Sequence, residues 1–336
     1  MGRVSETPLK TPRPGRRRRP FRLAAALLVL LGLAGYYIVQ NESTGGDGAP
    51  HCTVVAAPAG AGGRGGGASY SMNLEQARYA ATIAAVGSTR KVPERAVTIA
   101  MATAMQESAL RNLDHGDRDS LGLFQQRPSQ GWGTPAQIMD PVYSAGIFYD
   151  HLLDEVPDYA DLPLTVAAQK VQRSGFPEAY AKHEPDAALL AAAFTGRAPG
   201  SLSCSGPLPQ ETGDAARVTA ELVKVFGAGV APKAGPPASP VRTAPVAADG
   251  SEVTVAVAGT DRGAPVDRRR GWELASWAVA HAADLGVQRV SYDNKAWIAG
   301  KNKGRWIDKP PGKSGDGDGR NAGPDDVRIF VAPLNR

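Results

Sequence analysis

Residues 93–126 read PERAVTIAMATAMQESALRNLDHGDRDSLGLFQQ, and the interpretation of the whole chain starts from this stretch. Proline is favoured in the first turn of a helix, so Pro93 predicts the start of a helix that continues to the polar HGDRDS loop. Glu107 follows Ala100 by seven residues and Ala104 by three, on a stripe of small apolar side chains. The sequence therefore predicts a carboxylate on the buried face of a helix, near its C-terminus.

Such a position favours the protonated form of Glu107. Burial and the negative end of the helix dipole both disfavour an ionised carboxylate, so we expect a raised pKa. A general acid that protonates a glycosidic oxygen needs this property. The alternative is a structural ion pair between Glu107 and Arg111, four residues later on the same face.

The neighbouring segments are also helical in pattern. Asn73 and Gln76 predict a capping box at the start of one helix. Further helix starts are predicted at Pro141, Pro163 and Pro177. No alternating strand pattern occurs before residue 250, so we expect a mainly α domain over residues 70–205. After residue 250, the period changes to strand, helix, strand and strand, which predicts a small α/β domain over residues 251–336.

The N-terminus predicts export. Residues 1–22 hold eight Lys or Arg and one Glu, so this tail contributes +7 to a total charge of +5 and the remaining residues sum to −2. Residues 23–39 contain no charge and are just long enough to span a bilayer, which predicts a signal-anchor with the bulk of the chain outside the plasma membrane. A cleaved signal peptide is the alternative. A basic tail on a near-neutral body argues against a nucleic-acid partner.

Two cysteines and two linkers complete the organisation. Residues 40–69 are rich in Gly and Ala and residues 206–250 in Pro, Ala and Gly, a composition typical of linkers. Cys52 and Cys204 both fall on the exported side, where a disulfide persists. A bridge between them would clamp the ends of the first domain, and two free thiols are the alternative.

Three short motifs resemble the goose-type lysozyme and soluble lytic transglycosylase superfamily. They are Glu107-Ser108 at the end of a helix, Gly122-Leu123-Phe124-Gln125 with Gln125 18 residues after Glu107, and Ala145-Gly146-Ile147-Phe148-Tyr149. The resemblance covers about residues 70–195. It implies a lysozyme-like fold, a substrate of peptidoglycan glycan strands, no cofactor and no metal. It also implies that Glu107 is the catalytic acid and later base.

The resemblance further implies a set of substrate-binding residues, which are Ser108, Gly122, Gln125 and Tyr149. An ordinary core tyrosine is the alternative for Tyr149. Many relatives carry an Ala-Tyr-Asn-Ala-Gly segment whose Tyr positions the acid, and this chain has Val166-Ala167-Ala168-Gln169-Lys170-Val171-Gln172 instead. We expect Gln169, and as a second possibility Gln172, to bind sugar N-acetyl groups there. Their alternative is a solvated helix face.

A single strong acid favours lytic transglycosylase over hydrolase activity. Hydrolysis usually needs a second carboxylate, for which Asp114, Asp117 and Asp119 are the nearby choices, whereas a transglycosylase uses the C6 hydroxyl of its substrate. These aspartates lack the closing Glu of an EF-hand, so a polar turn is the favoured interpretation. A wall-binding or scaffolding protein that has lost turnover is the competing function.

Residues 251–336 resemble, more faintly, a C-terminal domain of actinobacterial cell-wall proteins related to zinc D,D-peptidases. The zinc-binding His-x-His position reads Asp326-Val327-Arg328, and His281 is the only histidine after residue 183. A histidine-based zinc site therefore cannot form within this domain. We expect His281 to be a packed helix residue and the domain to be non-catalytic, with a cell-envelope protein as its possible partner.

Overall fold

The computed structural model describes residues 49–56, 67–209, 212–230, 252–257, 268–308 and 326–332. The predicted basic tail and the predicted anchor, residues 1–39, lie outside these ranges, as do residues 231–251. Among the helices that are described, none combines the length and the apolar character needed to cross a bilayer. The described part is about half helical and contains two antiparallel sheets, which confirms the predicted combination of helices and strands at that level.

Helix α1, Leu74–Thr89, begins at the predicted capping box, in which the side chains of Asn73 and Gln76 each accept a hydrogen bond from the other residue's backbone. Helix α2, Glu94–Ser108, carries Glu107 in its last turn. The remaining helices of this part are α3 Pro135–Ile138, α4 Pro141–Glu155, α5 Leu164–Gln172 and α6 Glu184–Phe194.

Helix α2 ends earlier than the sequence predicts. Ala109 and Leu110 both adopt left-handed backbone conformations, and their N–H groups bond back to the carbonyls of Met105 and Ala104. This arrangement closes the helix at Ser108. Leu110 is fully buried, so packing of its side chain offsets the strained backbone and turns the chain into the loop. Helical periodicity could not reveal this stop.

The expectation of no strand before residue 250 is wrong. Strand β1, His51–Val55, lies between β2, Ser69–Asn73, and β3, Leu202–Ser205, in an antiparallel sheet. Cys52 is directly opposite Cys204 in the register, and the two form the predicted disulfide. These strands are four or five residues long, and their partners lie far apart in sequence, so the local pattern is too weak to predict them.

Part of the segment predicted as the second linker is helical. Residues Ala215–Phe226 form α7, which is capped by the Asp214 side chain and buries Val218, Leu222, Val225 and Phe226. This spacing gives a continuous apolar stripe, which packs against α1. The Pro, Ala and Gly content of the flanking residues obscured that stripe in the sequence.

The C-terminal segment forms the second antiparallel sheet. Its strands are β4 Glu252–Val255, β5 Val287–Tyr292, β6 Lys295–Ile298, β7 Ile307–Asp308 and β8 Val327–Val331, in the order β4-β8-β5-β6-β7. Helix α8, Arg268–Ala280, and the short α9, Ala282–Leu285, precede β5, and the chain turns at Gly286. The predicted order of strand, helix, strand and strand is confirmed.

The two segments share one core. Residues Pro50–Arg336 cluster as one compact unit, and α8 packs against α1 and α6. The indole N–H groups of Trp297 and Trp306 donate to the carbonyls of Cys204 and Leu202, at 3.3 and 3.0 Å. The disulfide strand β3 therefore lies against the C-terminal sheet as well as in its own.

His281 is a packed residue, as predicted. It is buried, its Nδ1 contacts the Trp277 carbonyl oxygen at 2.9 Å, and its ring stacks on that of Trp277 at 4.1 Å. Burial lowers the pKa of His281 to about 4, so the ring is neutral near pH 7.

Candidate active site

Glu107 is half-buried at the end of α2, where one of its oxygens accepts a short hydrogen bond. The donor is the hydroxyl of Tyr180, 2.6 Å from Glu107 Oε1. Tyr180 is fully buried. Burial and the adjacent Glu107 carboxyl both raise the pKa of Tyr180, so its hydroxyl remains a donor near pH 7.

Gln172, the last residue of α5, is the second neutral partner of Glu107. Its side-chain amide hydrogen-bonds the Glu107 carboxyl, and its Nε2 also donates to the Phe124 carbonyl oxygen at 2.8 Å. One amide group thus links the acid to the loop that follows α2. Of the two glutamines weighed on this helix, Gln172 is the one in contact with the acid.

Burial raises the pKa of Glu107, and the hydrogen bonds from Tyr180 and Gln172 oppose this without cancelling it. The direction agrees with the prediction. The alternative of an ion pair with Arg111 is wrong, because the Arg111 Nε donates to the Ser108 carbonyl oxygen at 3.3 Å. Among the described residues, both side chains that hold the Glu107 carboxyl are uncharged.

Ser108 and Gly122 shape the loop beside the acid. The buried Ser108 hydroxyl lies 2.7 Å from the Leu123 carbonyl oxygen, which ties the end of α2 to the loop. Gly122 has φ +77°, and a Cβ there would lie 2.8 Å from the Ile138 carbonyl oxygen. Only glycine fits this conformation and this space. Ser108 therefore supports the loop from the end of α2, and Gly122 supports it from within.

Gln125 lies in the same loop, with its side chain directed at the loop backbone. Its Nε2 is 3.3 Å from the carbonyl oxygens of both His115 and Gly122. Short bridges between Leu113 and Gly122 and between Leu121 and Gln126 hold the loop closed. The structure thus keeps Gln125 half-buried and bonded within the loop.

Tyr149 is a buried core residue. It is 0% exposed, and its hydroxyl donates to the Ile83 carbonyl oxygen at 3.0 Å, which links α4 to α1. A ligand from solvent cannot reach it in this position. Gln169 has a supporting contact instead: its Nε2 donates to the Ser174 carbonyl oxygen at 2.7 Å and fixes the segment that leads to Tyr180.

Tyr180 is the site residue that sequence reasoning missed. The resemblance directed attention to residues 166–172, where no tyrosine occurs. The chain supplies the tyrosine from eight residues beyond α5, after a turn through Arg173 in a left-handed conformation. A tyrosine just downstream of the motif was the only available signal, and it carries no weight without the fold.

The three nearby aspartates are occupied elsewhere or exposed. Asp119 pairs with Arg127 at 2.8 Å and accepts from the Ser129 N–H, contacts that hold the pKa of Asp119 well below its usual range. Asp114 contacts His115, and Asp117 lies beside Arg118. In the described ranges, no group of three or more His, Cys, Asp or Glu side chains could hold a metal ion.

Two cavities lie where the C-terminal segment meets the rest of the unit, and Glu107 lines neither. One, of about 220 Å³, is mainly apolar and lies between Leu74, Leu208 and Trp297. The other, of about 270 Å³, is polar and lies between α8 and the start of α2. The resemblance would place the chemistry at Glu107, away from both.

Comparison with protein-family models and with curated proteins returned no match to this chain. In geometric terms, the site is a half-buried carboxyl group that interacts with a tyrosine hydroxyl and a glutamine amide.

Proposed function

We propose that this protein cleaves the MurNAc–GlcNAc bond of peptidoglycan, with Glu107 as the general acid and then the base. The environment of Glu107 carries this proposal. A half-buried carboxyl group with neutral donors and a raised pKa keeps its proton to higher pH than an exposed glutamate and can deliver that proton to a leaving oxygen.

The reaction begins with proton transfer from Glu107 to the glycosidic oxygen, which breaks the bond to C1 of the MurNAc unit. The glutamate is then an anion, and the Tyr180 hydroxyl and the Gln172 amide donate to it. In the second step, this carboxylate takes the proton from the C6 hydroxyl of the same sugar, and the C6 oxygen bonds to C1. The products are a 1,6-anhydro-MurNAc end, a GlcNAc end whose freed hydroxyl carries the first proton, and the reprotonated Glu107.

Lytic transglycosylase activity is favoured over hydrolysis. A hydrolase usually needs a second carboxylate about 5–9 Å from the acid. Asp119 is already bound by Arg127 and the Ser129 N–H, and Asp114 and Asp117 are exposed beside His115 and Arg118. A substrate hydroxyl that completes the reaction removes the need for any of them.

The proposal includes an extracytoplasmic location. The Cys52–Cys204 disulfide fits an oxidising compartment, and residues 23–39 would anchor the protein in the plasma membrane. In that arrangement the glycan strands are the substrate partner, and the segment after residue 251 faces the cell envelope.

A wall-binding or scaffolding protein without turnover is the second function. One observation favours it: Ser108, Gly122, Gln125 and Tyr149 all bond within the protein, although the resemblance implies that they bind substrate. Such a protein would keep the fold and bind glycan strands with no cleavage.

Digestion of purified sacculi separates the two functions. The full-length chain in mild detergent is compared with Glu107→Gln and with Glu75→Gln, the same change at an exposed position of α1. We expect muropeptides with anhydro ends from the unmutated chain and from Glu75→Gln, and a loss of about 100- to 10,000-fold in Glu107→Gln. Reducing ends would identify a hydrolase. No release by the unmutated chain, with retained binding to sacculi, would leave only the scaffolding function.

A further inference from the structure

Phe176 is the most exposed of the large apolar side chains that the structure describes. It is 76% exposed, followed by Leu208 at 52%, and the other exposed side chains of this kind in the described ranges are aliphatic. Single exposed apolar side chains are common on proteins, so exposure alone does not indicate a ligand. The position of Phe176 relative to Glu107 is the second observation.

The backbone on both sides of Phe176 is tied to α5. The Ser174 carbonyl oxygen accepts from Gln169 Nε2 at 2.7 Å. The Pro177 carbonyl oxygen accepts from the Thr165 hydroxyl. The loop is thus held in place while the Phe176 ring remains in contact with solvent, so little further ordering is needed when a ligand covers the ring.

A short chain of hydrogen bonds leads from Phe176 to the carboxyl group of Glu107. Ser174 Oγ accepts from the Phe176 N–H at 3.2 Å, and the Ser174 side chain also hydrogen-bonds the Tyr180 side chain. The Tyr180 hydroxyl donates to Glu107 Oε1 at 2.6 Å. Hydrogen bonds of ordinary length place the Phe176 nitrogen at most about 10 Å from that oxygen. Neighbouring sugar units of one glycan strand cover such a distance.

The space beside the ring is open, and the ring has the chemistry that a sugar face requires. A Cβ added to the preceding residue, Gly175, would have no neighbouring atom of the described chain within 4 Å. A pyranose whose substituents are equatorial presents a face of axial C–H groups, which is apolar and slightly positive. The face of an aromatic ring is apolar and slightly negative, so the two faces attract each other and exclude water.

We propose that Phe176 is a platform on which one sugar ring of the glycan strand stacks, next to the bond that Glu107 would cleave. The ligand class is a β-linked strand of GlcNAc or MurNAc, whose rings carry equatorial substituents. This inference rests on the proposed function in one respect, that a glycan strand occupies the site at Glu107. It applies equally to cleavage and to binding without turnover.

The test titrates a soluble β-linked GlcNAc tetramer into the full-length chain in mild detergent, with Glu107→Gln in every sample to prevent turnover. Calorimetry measures the affinity. Proton NMR of the tetramer reports contact with the ring, because protons above an aromatic face shift upfield. We expect Phe176→Ala to bind about tenfold more weakly and to abolish the upfield shift, since the apolar contact is lost.

Two further variants control this result. Phe176→Trp retains an aromatic face and should bind at least as tightly as the chain with Phe176 intact. Leu208→Ala truncates an exposed apolar side chain of the apolar cavity, which Phe176 does not line, and should leave the affinity for the tetramer unchanged. Because the Phe176 ring is largely exposed, its removal should leave the melting temperature unchanged.

Equal affinity of Phe176→Ala and Leu208→Ala would overturn the proposal. An upfield shift that persists in Phe176→Ala, or no binding of the tetramer by the chain with Phe176 intact, would also overturn it. A loss in Phe176→Ala that Phe176→Trp does not restore would assign the residue to the structure of the loop and not to the ligand.

The digestion of sacculi separates this failure from that of the proposed function. Muropeptide release by the unmutated chain, with unchanged tetramer affinity in Phe176→Ala, would remove the platform and leave the cleavage. Tetramer binding that depends on Phe176, without muropeptide release by the unmutated chain, would remove the cleavage and support the platform.

Discussion

Glu107 and Glu273 are both glutamates on helices, and burial raises the pKa of each, but their partners differ in charge. Glu107, at the end of α2, accepts from a tyrosine hydroxyl and a glutamine amide. Glu273, within α8, accepts from Ser88 and from the Arg270 guanidinium, which also lies over the Phe226 ring at 4.6 Å. The same residue type is thus embedded in two electrostatic environments within one compact unit.

For the proposed function, this difference distinguishes Glu107, the acid that would transfer a proton, from Glu273, a glutamate whose partner is a cation. A cation stabilises the ionised form of a carboxyl group strongly, whereas neutral donors stabilise it less and allow the proton to be retained. Glu107 is suited to exchange a proton with a substrate. Glu273 is suited to hold α8 against α1, through Ser88.

The largest expected effect comes from removing the cation at Glu273. Arg270→Met leaves a buried carboxyl without its charged partner, which should lower the free energy of unfolding by about 3 kcal/mol. The melting temperature should fall by roughly 6–12 °C, with Arg268→Met, an exposed arginine of the same turn, as the matched control.

The loss of stability in Arg270→Met should also depend on pH. The folded-state pKa of Glu273 lies above its unfolded value, and loss of the cation raises it further. The contribution of Glu273 to stability is therefore fully present below the pKa that it has in the unfolded chain. That contribution is lost as the pH rises through the pKa that it has in the folded protein. If Arg270→Met lost less stability relative to the unmutated protein at pH 8 than at pH 4.5, this result would contradict the ion pair between Arg270 and Glu273.

A smaller effect is expected from removing the hydrogen bond between Tyr180 and Glu107. Tyr180→Phe removes a donor that lowers the pKa of Glu107, so that pKa should rise. Because a general acid must be protonated, glycan cleavage declines as the pH rises through its pKa, and this decline should move to higher pH in the variant. At pH values below this decline, the rate of glycan cleavage should change by less than about tenfold, because one hydrogen bond contributes about 1 kcal/mol.

Tyr149→Phe is the matched control for this experiment. It also removes a buried hydroxyl, but one that bonds the Ile83 carbonyl oxygen. A merely structural role of Tyr180 would make the two variants alike in their pH profiles and different only in stability. An unmoved pH profile in Tyr180→Phe would therefore count against direct contact between Tyr180 and a catalytic Glu107.

The smallest expected effect is on the stability of the protein when Glu107 itself is replaced. Glu107→Gln replaces a partly desolvated carboxyl group with a neutral amide that can still accept from Tyr180, so the melting temperature at pH 7 should rise by about 1–3 °C. Because the pKa of Glu107 is raised in the folded state, the gain should vanish near pH 4, where the carboxyl is protonated. Glu75→Gln should show no such gain, and a fall in Glu107→Gln would indicate an ion pair.

The sequence predicted local features well. The capping box at Asn73 and the burial of Glu107 on one helix face depend on residues within about one or two helical turns of one another. The disulfide was also predicted, because the chain has only two cysteines and both lie on the side that the sequence predicts to be exported. The strands around that disulfide were not, since each is short and pairs with a distant segment.

By itself, the sequence predicted a carboxylate on a buried helix face at Glu107, because the helical period places it on a stripe of small residues, and the role of an acid was an expectation from the motif resemblance. Tertiary structure decided what surrounds it. Tyr180, 73 residues from Glu107, and Gln172, 65 residues away, reach the acid only after α5 and the following turn pack onto α2. Packing likewise brought Glu273 to Ser88, 185 residues apart. Such contacts depend on how faces of different helices are buried together, and no local period encodes that.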